Sequence, residues 1–307
     1  MSRVGTIDIG TNSVLLLVTE LTAGVLGAVR EVSTVTRLGQ GVDRARRLAP
    51  TAVERTLACL AEYRAVLDEL GVKRLRVVGT SALRDAAGAE DFLRRAEGYL
   101  GVPVEVISGE QEARLAFKGA LSALPVRGPV LVIDIGGGST EFVLGEVGPD
   151  GPRVHSGLSL NIGSVRLTER HVHSDPPTPE ELQALRADIE RELREVELPA
   201  LVGTVVGVAG TVTTLGSVIR ALPRFDAAAL HGERILATEL RETLSRLTRL
   251  PVNFREALTG MNPGRADVII AGALILQAAL ALSGAEECVV SARGLRWGLA
   301  EEITNSA

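Results

Sequence analysis

An aspartate that ends an apolar run and opens a turn of small, hydrogen-bonding residues occurs twice in this sequence. "TIDIGTNSV" begins at Thr6 and carries Asp8; "VIDIGGGST" begins at Val132 and carries Asp134. In tight turns successive backbone N–H groups converge into a concave anion site, and glycine lets the backbone approach closely. Gly136, Gly137, Gly138, Ser139 and Thr140 fit that description, and Gly10, Thr11, Asn12 and Ser13 form a less glycine-rich version. A dinucleotide fingerprint needs a helix directly after its glycines, whereas "TEFVLGEV" follows here and alternates like a strand. Neither lysine stands in a GxxxxGK setting, which excludes a Walker A loop. A plain hairpin turn explains one such stretch; two, each with its aspartate, point to phosphate.

An aspartate beside phosphate is unfavourable unless a cation lies between them. Hard oxygen ligands next to phosphate suit Mg²⁺, which keeps several waters and needs few carboxylates; the metal candidates are Asp8, Asp134 and Glu141. "GVAGTVTT" from Gly207 is a third small-residue turn, leading into a helix whose N-terminus would receive an anion at Gly210 and Thr211, or merely connect strand to helix with Thr211 as cap. In "SGEQEARLAF", Ser108 and Gln111 have capping-box spacing, so Glu110 and Glu112 fall in a first helical turn. There they either complement the helix dipole or supply a general base, and spacing does not choose. His171 and His173 beside a Pro-rich loop read as a solvated surface pair, and His155 and His231 as isolated.

The elements that must position these residues read as strands at 4–9, 14–20 and 25–36, a helix from Pro50 to Leu70, a strand at 74–79, a helix at 89–100, a strand at 102–107 and a helix from Ser108 to about Leu124. The second half repeats the plan: strands at 130–134, 141–147 and 153–160, helices at 164–171 and 179–197, a strand at 205–208, helices at 211–220, 238–250 and 265–282, a strand at 288–291 and a last helix at 295–303. Two copies of one α/β plan, each opening on the same hairpin, mark a duplication.

With 307 residues, two domains are expected. A 46% hydrophobic and 23% charged composition is that of a globular protein. The start of the sequence lacks the pattern of a signal peptide, and the apolar stretch 268–282, interrupted by Gln277, reads as a buried helix rather than a membrane span. Cys59 and Cys288 lie far apart without ligand spacing, which predicts a cytoplasmic protein. A net charge of −5 and 3% aromatic residues argue against nucleic acid or an anionic membrane as partner. Lys73 and Lys118 are the lysines among 33 basic residues, so anions must be met by arginine and backbone N–H groups; Arg37, Arg265, Arg293 and Arg296 are further arginines for a phosphate track, or for salt bridges.

In order, "DIGTNSVLLLV", "GTSALRDA", "SGEQEARLAF", "VIDIGGGSTEFVLGE", "GVAGTVTTL" and "SARGLRWGL" resemble the exopolyphosphatase and guanosine pentaphosphate phosphohydrolase family, nearly end to end. The resemblance implies an α/β fold of the actin, sugar kinase and Hsp70 superfamily: two ribonuclease-H-like domains, each a mixed sheet flanked by helices, around an interdomain cleft. The expected domains are 1–124, with a C-terminal helix at about 294–307 packing back on it, and 125–293. It also implies that Glu112 activates the attacking water, that Asp134 and Glu141 serve metal and phosphate binding, that the glycine turn holds terminal phosphate and that Arg84 contacts it. Longer members carry an additional helical region that this sequence lacks, so short polyphosphate chains are the expected substrate. Homodimers occur in the family.

The expected activity is Mg²⁺-dependent hydrolysis of the terminal phosphate of inorganic polyphosphate, with pppGpp as the alternative substrate. The competing classes are a small-molecule kinase and a non-catalytic nucleotide or phosphate sensor. A kinase of this scaffold would take its base from an aspartate of the second domain; a sensor has no need of Glu112, Asp134 and Glu141 together.

Overall fold

The computed structural model describes residues 3–200 and 202–305. Residues 1 and 2 of the expected first domain, 201 within the expected second domain, and 306 and 307 of the expected C-terminal helix lie outside the described residues.

The chain forms two units, one running to Gly119 and completed by the final helix from Leu295, the other spanning Ala120–Gly294. In the first unit β1 (Arg3–Ile9), β2 (Ser13–Thr22) and β3 (Val25–Val35) make an antiparallel meander. There follow α1 (Val42–Ala45), α2 (Pro50–Glu69), β4 (Arg74–Gly79), α3 (Ser81–Asp85), α4 (Glu90–Leu100), β5 (Val104–Val106) and α5 (Gly109–Leu121). The sheet order is β3-β2-β1-β4-β5, with β4 parallel to β1 and β5 parallel to β4. Proline at its first position starts α2, and Gly71 (φ 65) lets the chain turn away after Leu70. The core joins Ile7, Ile9 and Leu16 of the sheet to Leu57, Leu60 and Leu67 of α2 and Phe92 of α4.

The second unit opens on β6 (Gly128–Ile135), β7 (Thr140–Gly148) and β8 (Gly151–Leu160), again an antiparallel meander. Then come α6 (Ser164–His171), α7 (Pro179–Leu193), β9 (Thr204–Val208), α8 (Ala209–Ile219), α9 (Ala227–Leu230), β10 (Arg234–Leu236), α10 (Ala237–Leu247), α11 (Val252–Glu256), α12 (Ile269–Ser283) and β11 (Glu287–Val290). The order β8-β7-β6-β9-β11 repeats that of the first sheet, and β10 adds an antiparallel edge. The duplication extends to a defect. The register shifts between Val18 and Thr19 in β2 and between Leu144 and Gly145 in β7, the same number of residues past the turn. The apolar helix α12 is buried against β6, α6, α7, α8 and α10, as expected for a helix without a polar face.

The last helix, α13 (Leu295–Asn305), belongs to the first unit. Leu295 and Leu299 pack with Val78, Ile107 and Leu115; Arg76, Arg114 and Lys118 all reach Glu302. At Gly298 a Cβ would stand 2.2 Å from Leu115 O, so glycine lets α13 lie directly on α5.

The expected helix at 265–282 begins instead at Ile269, after a 3-10 turn at Pro263–Arg265 closed by the Asn262 side chain on Gly264 N. The short elements α1, α3, α9, α11 and β10 carry too few residues for a period to be read.

Candidate active site

In the first unit, β1 and β2 are joined by the turn Gly10–Ser13, closed by Gly10 N donating to Ser13 O at 3.0 Å. The segment after β3 seats on this turn: Gly39 N donates to Thr11 O at 2.9 Å, and Thr36 N and Arg37 N donate to Asn12 O at 3.1 and 2.9 Å. With those carbonyls held from one side, the polar side chains remain. Asn12 is 3% exposed, yet neither Oδ1 nor Nδ2 has a partner among the described residues; the same holds for Thr11 Oγ1 and for Asp8 Oδ1. Buried polar groups are ordinarily paired. A buried turn offering acceptors and donors together is a site for a ligand carrying both, as a phosphate with a hydrated cation does.

Two further elements bring their charges here. Ser108 and Gln111 form the reciprocal cap of α5, with Ser108 N on Gln111 Oε1 at 2.9 Å and Gln111 N on Ser108 Oγ at 3.2 Å. This fixes the first turn so that Glu110 is exposed and Glu112 is buried. Arg84, from α3, donates through Nη1 to Glu112 Oε2 at 2.6 Å and to Ile107 O at 3.0 Å. Burial pushes the Glu112 carboxyl above its usual range, and the Arg84 charge only partly restores it. Asp8 is pushed up to about 7, first by burial and then by the charge of Glu112, against the pull of Arg296 and Arg84. Arg296 comes from α13 and donates to Leu16 O at 2.7 Å.

The second unit repeats the turn. Gly136 N donates to Ser139 O at 3.0 Å, and Asp134 and Glu141 stand opposite one another across β6 and β7. The segment after β8 again holds the carbonyls: Ser164 N donates to Gly136 O at 3.0 Å, Val165 N and Arg166 N to Gly137 O at 2.9 and 3.0 Å. Arg166 Nε reaches Gly138 O at 2.6 Å. Glu141 is fully buried and accepts from Ser159 Oγ at 2.7 Å, and Asp134 and Ser139 are also buried. Thr140 Oγ1 donates to Ile162 O at 2.6 Å, so its side chain braces the turn. The third turn opens α8 with Ala209 at φ 68. The Arg265 guanidinium lies where a Gly210 Cβ would fall, 2.0 Å from Cζ, bringing a cation to the start of that helix. Thr211 packs under Gly272 of α12 rather than capping α8, whose N-cap is Val208.

The first unit thus gathers Asp8, Thr11, Asn12, Ser13, Arg84 and Glu112; the second gathers Asp134, Gly136–Thr140 and Glu141. Gly163 and Arg166, and Gly39 in the first unit, were not legible as site residues. Their only signal is a Gly-Ser pair at a helix start, or a glycine in a loop. The surface reading of the His171–His173 pair is corrected: His171 is half-buried, 2.7 Å from Asp188 Oδ2, because Asp188 is buried and collects Arg170 and Arg191 as well. His231 meets Ser122 O at 3.1 Å.

Among the described residues no three His, Cys, Asp or Glu side chains cluster as a metal-holding group. The unpartnered Asp8 Oδ1 and Asn12 Oδ1, both from the first hairpin, nevertheless fit a cation that keeps most of its waters and takes few protein oxygens. The donors are all oxygen, which suits Mg²⁺ and not a soft metal.

Comparison with known proteins gives this geometry a context. The Ppx/GppA phosphatase family model matches residues 17–307. Exopolyphosphatase 2 of Mycobacterium tuberculosis is 42% identical over 90% of this chain and 89% of its own. The guanosine-5'-triphosphate,3'-diphosphate pyrophosphatase of Aeromonas hydrophila is 32% identical over 95% of this chain and 58% of its own length. Among solved structures, the Aquifex aeolicus member of the Ppx/GppA family superposes with a TM-score of 0.83 at 36% identity, covering 99% of this chain and 98% of the other. An exopolyphosphatase from Cytophaga hutchinsonii gives 0.89 at 26% identity, covering 100% and 99%.

Proposed function

This chain belongs to the Ppx/GppA phosphatase family, and on that premise we propose that it is a phosphoanhydride hydrolase that releases the terminal phosphate of inorganic polyphosphate. The observation that carries the reading is the buried Glu112 carboxylate, held through one oxygen by Arg84 in the same unit as a turn of unpartnered polar side chains.

Glu112 Oε1 has no protein donor among the described residues and accepts the attacking water. Its raised pKa makes it the better proton acceptor. Water oxygen bonds to the terminal phosphorus, its proton passes to Glu112, and the bond to the bridging oxygen breaks, leaving the shortened chain with the negative charge. Such displacements need little covalent help, and the protein's part is positioning and charge neutralisation. Thr11, Asn12 and Ser13 hold phosphate oxygens in the first unit, and Gly136–Thr140 offer a second phosphate-holding turn in the second unit. Arg84 holds Glu112 and lends its charge to the phosphate; Gly210 and the main-chain N–H of Thr211, with Arg265, receive phosphate at the start of α8. Mg²⁺ would supply neutralisation of the phosphate oxygens; Asp8 would hold it in the first unit, and Asp134 and Glu141 offer carboxylates for it in the second.

Polyphosphate stands ahead of pppGpp because the exopolyphosphatase relative shares more of this sequence than the pyrophosphatase does. Two buried thiols outside any disulfide, Cys59 and Cys288, support the cytoplasm as compartment. A homodimer belongs to the same reading, with sedimentation as its test.

The test is phosphate release from short and long polyphosphate, pppGpp and ATP, with and without Mg²⁺, by wild type and Glu112→Gln. Mg²⁺-dependent release from polyphosphate, lost in Glu112→Gln, is expected. Release only from pppGpp would move the substrate assignment. Folded wild-type protein that releases phosphate from none of them would overturn the hydrolase reading in favour of a kinase or a sensor.

A further inference from the structure

The carbonyls of Gly136, Gly137 and Gly138 all face the start of α6, where they accept from the N–H groups of Ser164, Val165 and Arg166 and from the Nε of Arg166. In a planar trans peptide the N–H of one residue points opposite to the C=O of the residue before it. Three carbonyls drawn to one side therefore turn the N–H groups of Gly137, Gly138 and Ser139 to the other. Among the described residues no acceptor meets these three N–H groups. A row of convergent, unpaired N–H donors is an anion-binding concavity.

The first two carbonyls are held by main-chain N–H groups, which any residue provides. The last is held by a side chain. Arg166 is 6% exposed, and its Nε lies 2.6 Å from Gly138 O, a short charge-assisted bond. That bond fixes the Gly138–Ser139 peptide and so the Ser139 N–H. A guanidinium on the carbonyl side also polarises the peptide, making the N–H on the far side a stronger donor. Gly163 completes the contact. A Cβ there would sit 2.5 Å from Gly137 C, so only glycine lets α6 approach this closely.

We propose that Arg166 is a positioning residue for phosphoryl transfer, aiming and polarising the Gly138–Ser139 peptide so that the Ser139 N–H meets phosphate oxygen. The proposal rests on the hydrolase reading above for its kinetic consequence, but not for phosphate binding itself.

Arg166→Lys, Arg166→Met and Ser164→Ala are compared with wild type. Lysine keeps the charge and stem and lacks the Nε–H. Ser164→Ala keeps the main-chain N–H and loses only a 3.3 Å side-chain bond. On polyphosphate both Arg166 variants are expected to lose about 10- to 100-fold in kcat, the loss of a mis-aimed oxyanion donor. KM should shift far less, and Ser164→Ala should stay within about three-fold of wild type. Hydrogen exchange across Gly137–Ser139 supplies a readout that does not need turnover. Inorganic phosphate should slow exchange in wild type and not in Arg166→Lys. If Arg166→Met melts below the assay temperature, Arg166→Lys decides. Wild-type kcat and phosphate protection in a folded Arg166→Lys would overturn the proposal. If wild type hydrolyses nothing, the hydrolase reading falls and the exchange result alone judges Arg166: protection lost in the variant supports it, protection kept sinks it.

Discussion

Arg84 Nη1 stands 2.6 Å from Glu112 Oε2 while also reaching Ile107 O at 3.0 Å. One guanidinium nitrogen thus ties the carboxylate at the start of α5 to the backbone just before that helix. The pair is buried but not sealed, with the two side chains 21% and 12% exposed. Such a carboxylate is held still while remaining able to take a proton.

Replacing Glu112 by Gln keeps the shape and the acceptor for Arg84 but removes the base. Turnover on the best phosphoanhydride should fall by about 10² to 10⁴. The melting temperature should be kept, since burial disfavours the charge that the substitution removes. A colorimetric phosphate assay beside a thermal melt decides. Loss of activity together with loss of fold would leave Glu112 as a structural residue.

Arg84→Met acts differently. It removes the charge that draws the Glu112 carboxyl downward, so the Glu112 pKa rises further and ionised base appears only at higher pH. The acid limb of the rate profile should move to higher pH. Stability should drop by about 1.5–3 kcal/mol, as for a lost hydrogen bond to a charged group. An unmoved acid limb in the pH profile would disconnect Arg84 from the base.

The Asp188 cluster predicts the acid side of the stability curve. Burial raises the Asp188 pKa, but the hydrogen bonds from His171 and Arg170 outweigh it and leave the carboxyl below its usual 3.8. A depressed folded pKa means that the contribution is fully present above the unfolded value and is lost as pH falls through the folded one. Wild type should therefore lose melting temperature below pH 3.8 more steeply than Asp188→Asn, which is already destabilised at neutral pH. Parallel melting curves for the two proteins from neutral pH to acid would remove the cluster from the account.

Gly298→Ala probes the seat of the last helix. A Cβ at this position would meet Leu115 O at 2.2 Å, and backbone has no rotamer with which to yield. Overpacking of this kind costs about 1–3 kcal/mol. Limited proteolysis should cut near Leu295 sooner than in wild type, and activity should fall because α5 carries Glu112. A variant with wild-type stability would mean that α13 can shift without cost.

By itself the sequence determined the local devices, because each is written in neighbouring residues. The apolar runs and their polar interruptions give the two meanders; Ser108 and Gln111 give the cap of α5; the Asp-x-Gly turns give both hairpins. The repeated sheet order follows from the repeated succession of elements. Tertiary structure decided what spacing left open. Glu110 and Glu112 differ in no local signal, yet one is exposed and the other buried, because only packing tells the faces of α5 apart. It also decided that Thr211 lies under α12, that His171 belongs to Asp188 and that Arg166 holds Gly138. These partners lie far apart in sequence. A hydrogen bond between distant residues leaves no periodicity for either segment to show.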